Sequence, residues 1–182
     1  MSRLPVHETV SDQAAEIFTG LRKKLGKVPN MYAAIGSNSP AALAALVNFD
    51  AALAGTVLSK QEIEVIKLTV SEVNGCDYCV AAHTVVGKLV GLSIDATLAA
   101  RQGTPSGDPK LDALSQFVRT LVSTSGTVPA DVVETFKAAG YSDAHVVDSI
   151  FAVTTITFTN LINRVNDTVL DFPAAPAVKR PT

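Results

Sequence analysis

Helix start and stop signals recur along this chain at ordinary helical intervals, and they constrain its fold more than any other feature. Ser39 is placed as an N-cap residue, with Pro40 at the first helical position. Ser59 and Glu62 form a capping box that begins a helix over 59–73. No alternating strand pattern, phosphate-binding glycine loop or internal repeat accompanies these signals. The sequence therefore predicts an all-α fold.

The predicted helices, about eight in number, form one compact domain that covers residues 1–182. Their expected bounds are 11–25, 31–35 (a short segment), 39–55, 59–73, 76–90, 93–101, 110–123, 130–139 and 143–169. The last contains the β-branched run FAVTTITFT (151–159), but the helical spacing of the flanking residues favours a helix there. Residues 171–182 are proline-rich and are expected to form an extended tail.

Composition narrows the class of protein. Hydrophobic residues make up 47% of the 182 residues and charged residues only 18%, which excludes a disordered chain and favours apolar surfaces used in a homo-oligomer. The net charge is −2 and no basic run is present, so we expect no nucleic-acid partner. The sequence lacks an apolar stretch of about 20 residues and a secretory signal, so we expect no membrane association and a cytoplasmic location.

Both cysteines of the chain lie in the segment EVNGCDYCVAAHT, residues 72–84. On a helix, Cys76, Cys79 and His83 fall within about 60° of arc, on the side expected to face inward. The C-x-x-C spacing allows a disulfide across one turn, and a helix N-terminus lowers the pKa of a thiol. His83 is one turn away and can hold or relay a proton. The segment therefore predicts a redox or catalytic site, because structural disulfides are rare in a reducing compartment.

This segment has three other interpretations. Buried cysteines and a lone histidine often serve only as core residues. A structural zinc site would use Cys76, Cys79 and His83, but it needs a fourth ligand, and His7 and His145 are distant in sequence. A thioredoxin-like site requires strands around the motif, which the sequence does not predict. We therefore expect no bound metal.

The spacing from Glu64 through Cys76 and Cys79 to His83, E-x11-C-x2-C-x3-H, resembles that of the AhpD-like alkylhydroperoxidases of the carboxymuconolactone decarboxylase superfamily. The resemblance extends over most of the chain. It includes VPNMYAAIGSNSPAALAAL before the motif and NRVNDTVLDFP near the end. It implies a single-domain AhpD-like helical fold that assembles as dimers, trimers or hexamers.

The resemblance also implies residue roles. Cys79 would attack a hydroperoxide, Cys76 would resolve the product to a disulfide, and His83 and Glu64 would relay the proton. No cofactor would be bound, since an external dithiol of the dihydrolipoamide or thioredoxin type would return the electrons. Some members have a histidine immediately before the second cysteine. Tyr78 occupies that position here, and we interpret it as a packing residue.

Glu64 receives two conflicting interpretations. Helical periodicity groups it with Lys60, Lys67 and Ser71, opposite the aliphatic residues, which predicts a solvated side chain paired at most with Lys67. Only the resemblance makes it a proton acceptor. Glu72 is closer in sequence to the cysteines, but the Asn-Gly break after it leaves its direction open, and we interpret it as structural.

Three functions remain open on the sequence. The leading one is a thiol-dependent peroxidase that reduces small organic hydroperoxides. A decarboxylase-like enzyme acting on a cyclic acid is the second, although superfamily decarboxylases lack the cysteine pair. The third is a redox sensor or partner-binding protein whose disulfide forms without turnover.

Overall fold

The computed structural model describes residues 2–178 and folds them into nine α-helices without a β-strand. The predicted all-α, single-domain architecture is confirmed. The helices are α1 (Asp12–Leu25), α2 (Asn30–Asn38), α3 (Pro40–Leu53), α4 (Lys60–Val73), α5 (Asp77–Leu89), α6 (Ile94–Gln102), α7 (Pro109–Ser123), α8 (Ala130–Ala138) and α9 (Asp143–Asn166). Residues 171–178 contain no helix, and the rest of the predicted tail, 179–182, lies outside the described residues.

Serine caps begin several of these helices where the sequence predicts them. At the start of α4 the Ser59 hydroxyl accepts a hydrogen bond from the Glu62 backbone N–H, and the Glu62 carboxylate accepts one from the Ser59 N–H. This reciprocal pair satisfies two backbone donors that a helix terminus leaves unpaired. The same kind of hydroxyl cap begins three other helices, at Ser11, Ser39 and Ser93.

Two predicted helix ends are wrong. The short segment predicted to stop before Gly36 continues as a helix to Asn38. Gly36 is required by close packing and not by a turn, because a Cβ atom at this position would lie 2.6 Å from the Phe18 ring and 2.7 Å from Leu43. The last helix ends at Asn166 and not at residue 169. Asp167 there adopts a left-handed conformation with φ 51°, which aspartate tolerates better than most residues.

Helix α4 is the centre of the domain. It packs against α5, α6, α7 and α9, and its apolar side chains belong to the main hydrophobic core. Its polar side chains are enclosed as well: Glu62, Glu64, Thr69 and Ser71 are all buried. Only Lys60 and Gln61 at its start are exposed, so each polar group farther along the helix must find a partner inside the protein.

Helix α9 presents polar side chains to the interior and apolar ones to the outside. Its buried face carries Ser149, Thr155, Thr159 and the three asparagines at 160, 163 and 166. Its outer face exposes Val147, Ile150, Leu161 and Val165, the first and last of these by 65%. By length and composition alone α9 is the one helix within residues 2–178 that qualifies as a membrane span, a test that core helices of folded domains also pass.

The exposed apolar face of α9 supports the prediction of a homo-oligomer, since exposed apolar side chains that share one helix face commonly mark subunit contacts. We expect light scattering at micromolar concentration to give a mass that is a multiple of 19.0 kDa. Leu161→Lys combined with Val165→Lys should lower that mass, whereas Val6→Lys, at an equally exposed valine outside the helices, should not. A wild-type mass of about 19 kDa would contradict the prediction.

Candidate functional site

The two cysteines lie at the sharp connection between α4 and α5. Gly75 has a positive φ of 65°, which turns the chain after α4 and brings Cys76 back so that its N–H donates to the Ser71 carbonyl, 2.9 Å away. Cys76 is therefore the N-cap residue of α5 and not its first helical residue, and its sulfur accepts the backbone N–H of Cys79 at 3.3 Å. The structure pairs the two cysteines as a disulfide, with their Cα atoms 5.4 Å apart.

Only one of the two sulfur-bearing residues borders open space. A cavity of about 460 Å³ is lined by Cys79 but not by Cys76, although both residues are buried. Most of the lining is apolar and comes from α1 to α5, α9 and the segment after α9; it includes Leu21, Met31, Leu46, Ile63, Val86, Ile156 and Phe172. A small molecule in this cavity would reach Cys79 first.

Glu64 and His83 form a hydrogen-bonded pair in the wall of the same cavity. The Glu64 Oε2 lies 2.8 Å from the His83 Nδ1, and Glu64 is only 5% exposed. The prediction of a solvated Glu64 from helical periodicity is wrong, and so is its pairing with Lys67, which instead contacts Asp50 at 3.3 Å. Periodicity separates a polar from an apolar face, but here the polar face of α4 borders the cavity.

The pairing with Glu64 determines which nitrogen of His83 is available for chemistry. When Nδ1–H donates to the carboxylate, Nε2 is the nitrogen that can accept a proton. Cys79 and His83 are four residues apart on α5, so they are neighbours on one helix face, and both line the cavity. The structure thus brings together the predicted site residues Cys76, Cys79, His83 and Glu64.

Asn163 is a site contact that the sequence interpretation did not identify. Its Nδ2 donates to the Cys79 sulfur at 3.2 Å, and the residue is 3% exposed. Two signals could have found it: the segment NRVNDTVLDFP, which carries part of the family resemblance, begins with it, and asparagines recur at 160, 163 and 166 on one face of an apolar helix. Periodicity alone cannot say which asparagine meets a sulfur.

Tyr78 links the cysteine segment to the chain that follows α9. Its hydroxyl donates to Asp171 at 2.7 Å and accepts the Met31 N–H at 3.3 Å. Burial, reinforced by the Asp171 carboxylate, raises the pKa of Tyr78 above its usual range. Lys27 also pairs with Asp171, at 2.9 Å, and the Phe172 ring packs edge-on against Tyr78 while lining the cavity. Tyr78 therefore holds a cavity wall in place.

A second polar group interrupts the apolar lining. Asp50 accepts the Tyr32 hydroxyl at 3.4 Å and contacts the Lys67 ammonium at 3.3 Å, and all three residues border the cavity. Burial and the nearby carboxylate raise the pKa of Tyr32 above its usual range, so it is a neutral hydrogen-bond donor. The cavity accordingly combines a mostly apolar lining with this polar group and the Glu64–His83 pair.

Other candidate residues lie outside this group. Glu72 bonds the Arg101 guanidinium at 2.9 Å and does not line the cavity, in agreement with its interpretation as structural. Within residues 2–178, no three His, Cys, Asp or Glu side chains come together as metal ligands.

Comparison with known proteins agrees with this fold, and one family match includes the candidate site residues. Residues 40–119, which include Glu64, Cys76, Cys79 and His83, match the profile of the Carboxymuconolactone decarboxylase family. No curated protein matches the chain at a significant level.

Solved structures extend the similarity to nearly the whole chain. An uncharacterized peroxidase-related protein with an alkylhydroperoxidase AhpD core, from Ralstonia eutropha JMP134, is 22% identical over 93% of this chain and 92% of its own, with a TM-score of 0.82. An uncharacterized peroxidase-related protein from Silicibacter sp. TM1040 is 22% identical over 92% of this chain and 89% of its own, with a TM-score of 0.79. The debrominase Bmp8 in complex with 2,3,4-tribromopyrrole is 16% identical over 94% of both chains, with a TM-score of 0.77.

These structural similarities establish the fold, and the family profile covers the segment that carries the cysteines. Residues 40–119 thus match the Carboxymuconolactone decarboxylase family, and the chain shares the fold of the solved structure with an alkylhydroperoxidase AhpD core.

Proposed function

We propose that this protein is a thiol-dependent peroxidase that reduces organic hydroperoxides through Cys79 and Cys76. The observation that carries the proposal is that Cys79, paired with Cys76, borders an apolar cavity whose wall also holds the Glu64–His83 pair. The cavity volume of about 460 Å³ suits a small organic molecule, and its lining favours an apolar body over free hydrogen peroxide.

The first step is the oxidation of Cys79. His83 Nε2 accepts the thiol proton while Glu64 holds the ring through Nδ1, and the resulting thiolate attacks the outer oxygen of the hydroperoxide. The O–O bond breaks as the S–O bond forms. Cys79 becomes a sulfenic acid, and the alkoxide takes the proton from His83 to leave as an alcohol.

The second step closes the disulfide. The Cys76 sulfur attacks the Cys79 sulfur and displaces hydroxide, which leaves as water with the proton that Cys76 gives up. The geometry supports this step, because the two Cα atoms are 5.4 Å apart and both sulfurs lie at the N-terminus of α5. Per turnover, one hydroperoxide and two thiols yield one alcohol, one water and one disulfide.

An external dithiol then restores the thiols by disulfide exchange. Since Cys79 lines the cavity and Cys76 does not, we expect the donor to attack Cys79 and release Cys76 first. A donor of the dihydrolipoamide type, carried on a narrow arm, fits entry through the cavity. A thioredoxin-type protein is the other donor class to test.

The experiment is steady-state consumption of an organic hydroperoxide with each donor, combined with mass spectrometry of the oxidised protein. We expect alcohol formation to match dithiol consumption and a Cys76–Cys79 link to follow one equivalent of hydroperoxide. Oxidation without donor-dependent turnover would instead favour the redox sensor. A persistent sulfenic acid or a link between subunits would contradict the cysteine pairing.

One further activity is a second candidate. A debrominase bound to a brominated pyrrole shares the fold, and the cavity beside Cys79 is apolar. A reductive debromination would oxidise the same two thiols to the disulfide: one of their protons would replace bromine on the ring, and bromide and the other proton would be released. Release of bromide from tribromopyrrole with a dithiol, faster than hydroperoxide reduction, would favour the debromination.

A decarboxylase-like activity, which the family description suggests, would persist without either cysteine.

A further inference from the structure

We propose that Asn163 is a positioning residue that stabilises the thiolate of Cys79 through its side-chain amide. The inference rests on the proposed function only in taking Cys79 as the reacting thiol. The amide reaches the sulfur from α9, a helix that carries neither Glu64 nor His83, so its contact with the reacting atom does not depend on that pair.

In this contact an N–H donor faces the sulfur, and an N–H donor is the kind of group that stabilises a thiolate. The Asn163 Nδ2 lies 3.2 Å from the Cys79 sulfur. A disulfide sulfur has no hydrogen to donate, so the amide nitrogen and not the amide oxygen faces it. When the disulfide is reduced, the same N–H group meets a sulfur that can carry a full negative charge. A hydrogen bond to a charged acceptor is about twice as strong as one to a neutral acceptor, so the contact favours the thiolate.

Comparison with the neighbouring asparagines of α9 separates this role from a structural one. Asn160 uses both ends of its amide: Nδ2 donates to Ser71 at 3.1 Å and Oδ1 accepts from Asn74 at 2.9 Å. Asn166 does the same with Thr168 and the Leu4 N–H, at 2.9 and 2.7 Å. These two residues join segments of the fold.

Asn163 uses only one end of its amide. Among the described residues its buried Oδ1 has no hydrogen-bond partner, and its one side-chain bond goes to the sulfur. A buried acceptor without a donor costs free energy, so a residue kept only for structure would bond at both ends. The Asn163 side chain is therefore held in place by its contact with the Cys79 sulfur, and that contact favours the reduced, thiolate form.

The test uses the Cys76→Ser background, in which Cys79 is the only thiol, and follows its alkylation by iodoacetamide against pH. Asn163→Leu removes the donor and should raise the pH midpoint by about one unit, a tenfold change in thiolate population. Asn163→Asp has almost the same shape but places a carboxylate at the sulfur, and should raise it further. Asn160→Leu is the matched control: it loses two buried hydrogen bonds on the same helix, and should lower the melting temperature without moving the midpoint.

A second measurement uses the protein with both cysteines. In a dithiothreitol redox buffer, Asn163→Leu and Asn163→Asp should need a larger excess of reduced dithiothreitol to open half of the disulfide, whereas Asn160→Leu should not. An unchanged alkylation midpoint in Asn163→Asp, or an equal shift in Asn160→Leu, would overturn the proposal. Neither readout uses a hydroperoxide, so a wild-type protein without peroxidase turnover would refute the proposed function and leave this result standing.

Discussion

Replacing Cys79 with serine is expected to abolish the reaction with organic hydroperoxides, lowering its rate by at least about 10³-fold. A serine hydroxyl is not ionised at neutral pH and cannot replace the thiolate as nucleophile. The substitution should affect stability little, since it changes one atom and the side chain borders a cavity. The measurement is stopped-flow consumption of hydroperoxide by the reduced protein, with melting curves to confirm that the variant is folded.

Cys76→Ser is the matched variant. It leaves Cys79 and its cavity intact, so we expect one oxidation at a rate close to wild type, followed by arrest at the sulfenic acid because no resolving thiol remains. A dimedone adduct on Cys79 would identify this product. If Cys76→Ser abolished the first oxidation while Cys79→Ser permitted it, the two roles would be exchanged and access through the cavity would not decide which sulfur attacks.

Replacing Glu64 with glutamine is expected to slow hydroperoxide-dependent oxidation by about 10²–10⁴-fold, the usual contribution of a positioned general base. The carboxylate accepts the His83 Nδ1 hydrogen at 2.8 Å and so keeps Nε2 free to accept the Cys79 proton. A glutamine of the same shape can donate to Nδ1 through its amide, which moves the ring proton to Nε2 and removes the acceptor. The pH at which the thiol becomes reactive should rise for the same reason.

The control for this variant is Glu72→Gln. That glutamate is also on α4 and also has a buried partner, Arg101, but it does not line the cavity. Both variants should lose some stability, since each weakens a buried or half-buried contact. Only Glu64→Gln should change the rate of thiol oxidation against pH. Identical profiles for Glu64→Gln and wild type would leave Cys76, Cys79 and His83 as the whole site.

Much of the fold follows from local sequence. Serine caps and glycine stops placed most helix ends within one or two residues of their positions in the structure, because the hydrogen bonds that satisfy a helix terminus involve neighbours in the chain. The cysteine spacing likewise indicated a disulfide across the first turn of α5. Gly36 was the exception: it looked like a stop, but it is a point of close approach to Phe18, which local sequence does not reveal.

The site, like the fold, has features that follow from local sequence and others that depend on tertiary packing. The sequence by itself determined that the two cysteines and the histidine one turn after them lie close together, because all three fall within eight residues at a single helix start. Only the tertiary structure decided that Glu64 faces His83, that Asn163 meets the Cys79 sulfur, and that Cys79 borders the cavity while Cys76 does not. Those contacts join residues 19 and 84 positions apart, on helices whose relative placement depends on packing throughout the core. Helical periodicity reports which side of a helix is polar, but whether that side meets water or a buried imidazole depends on what the rest of the chain packs against it.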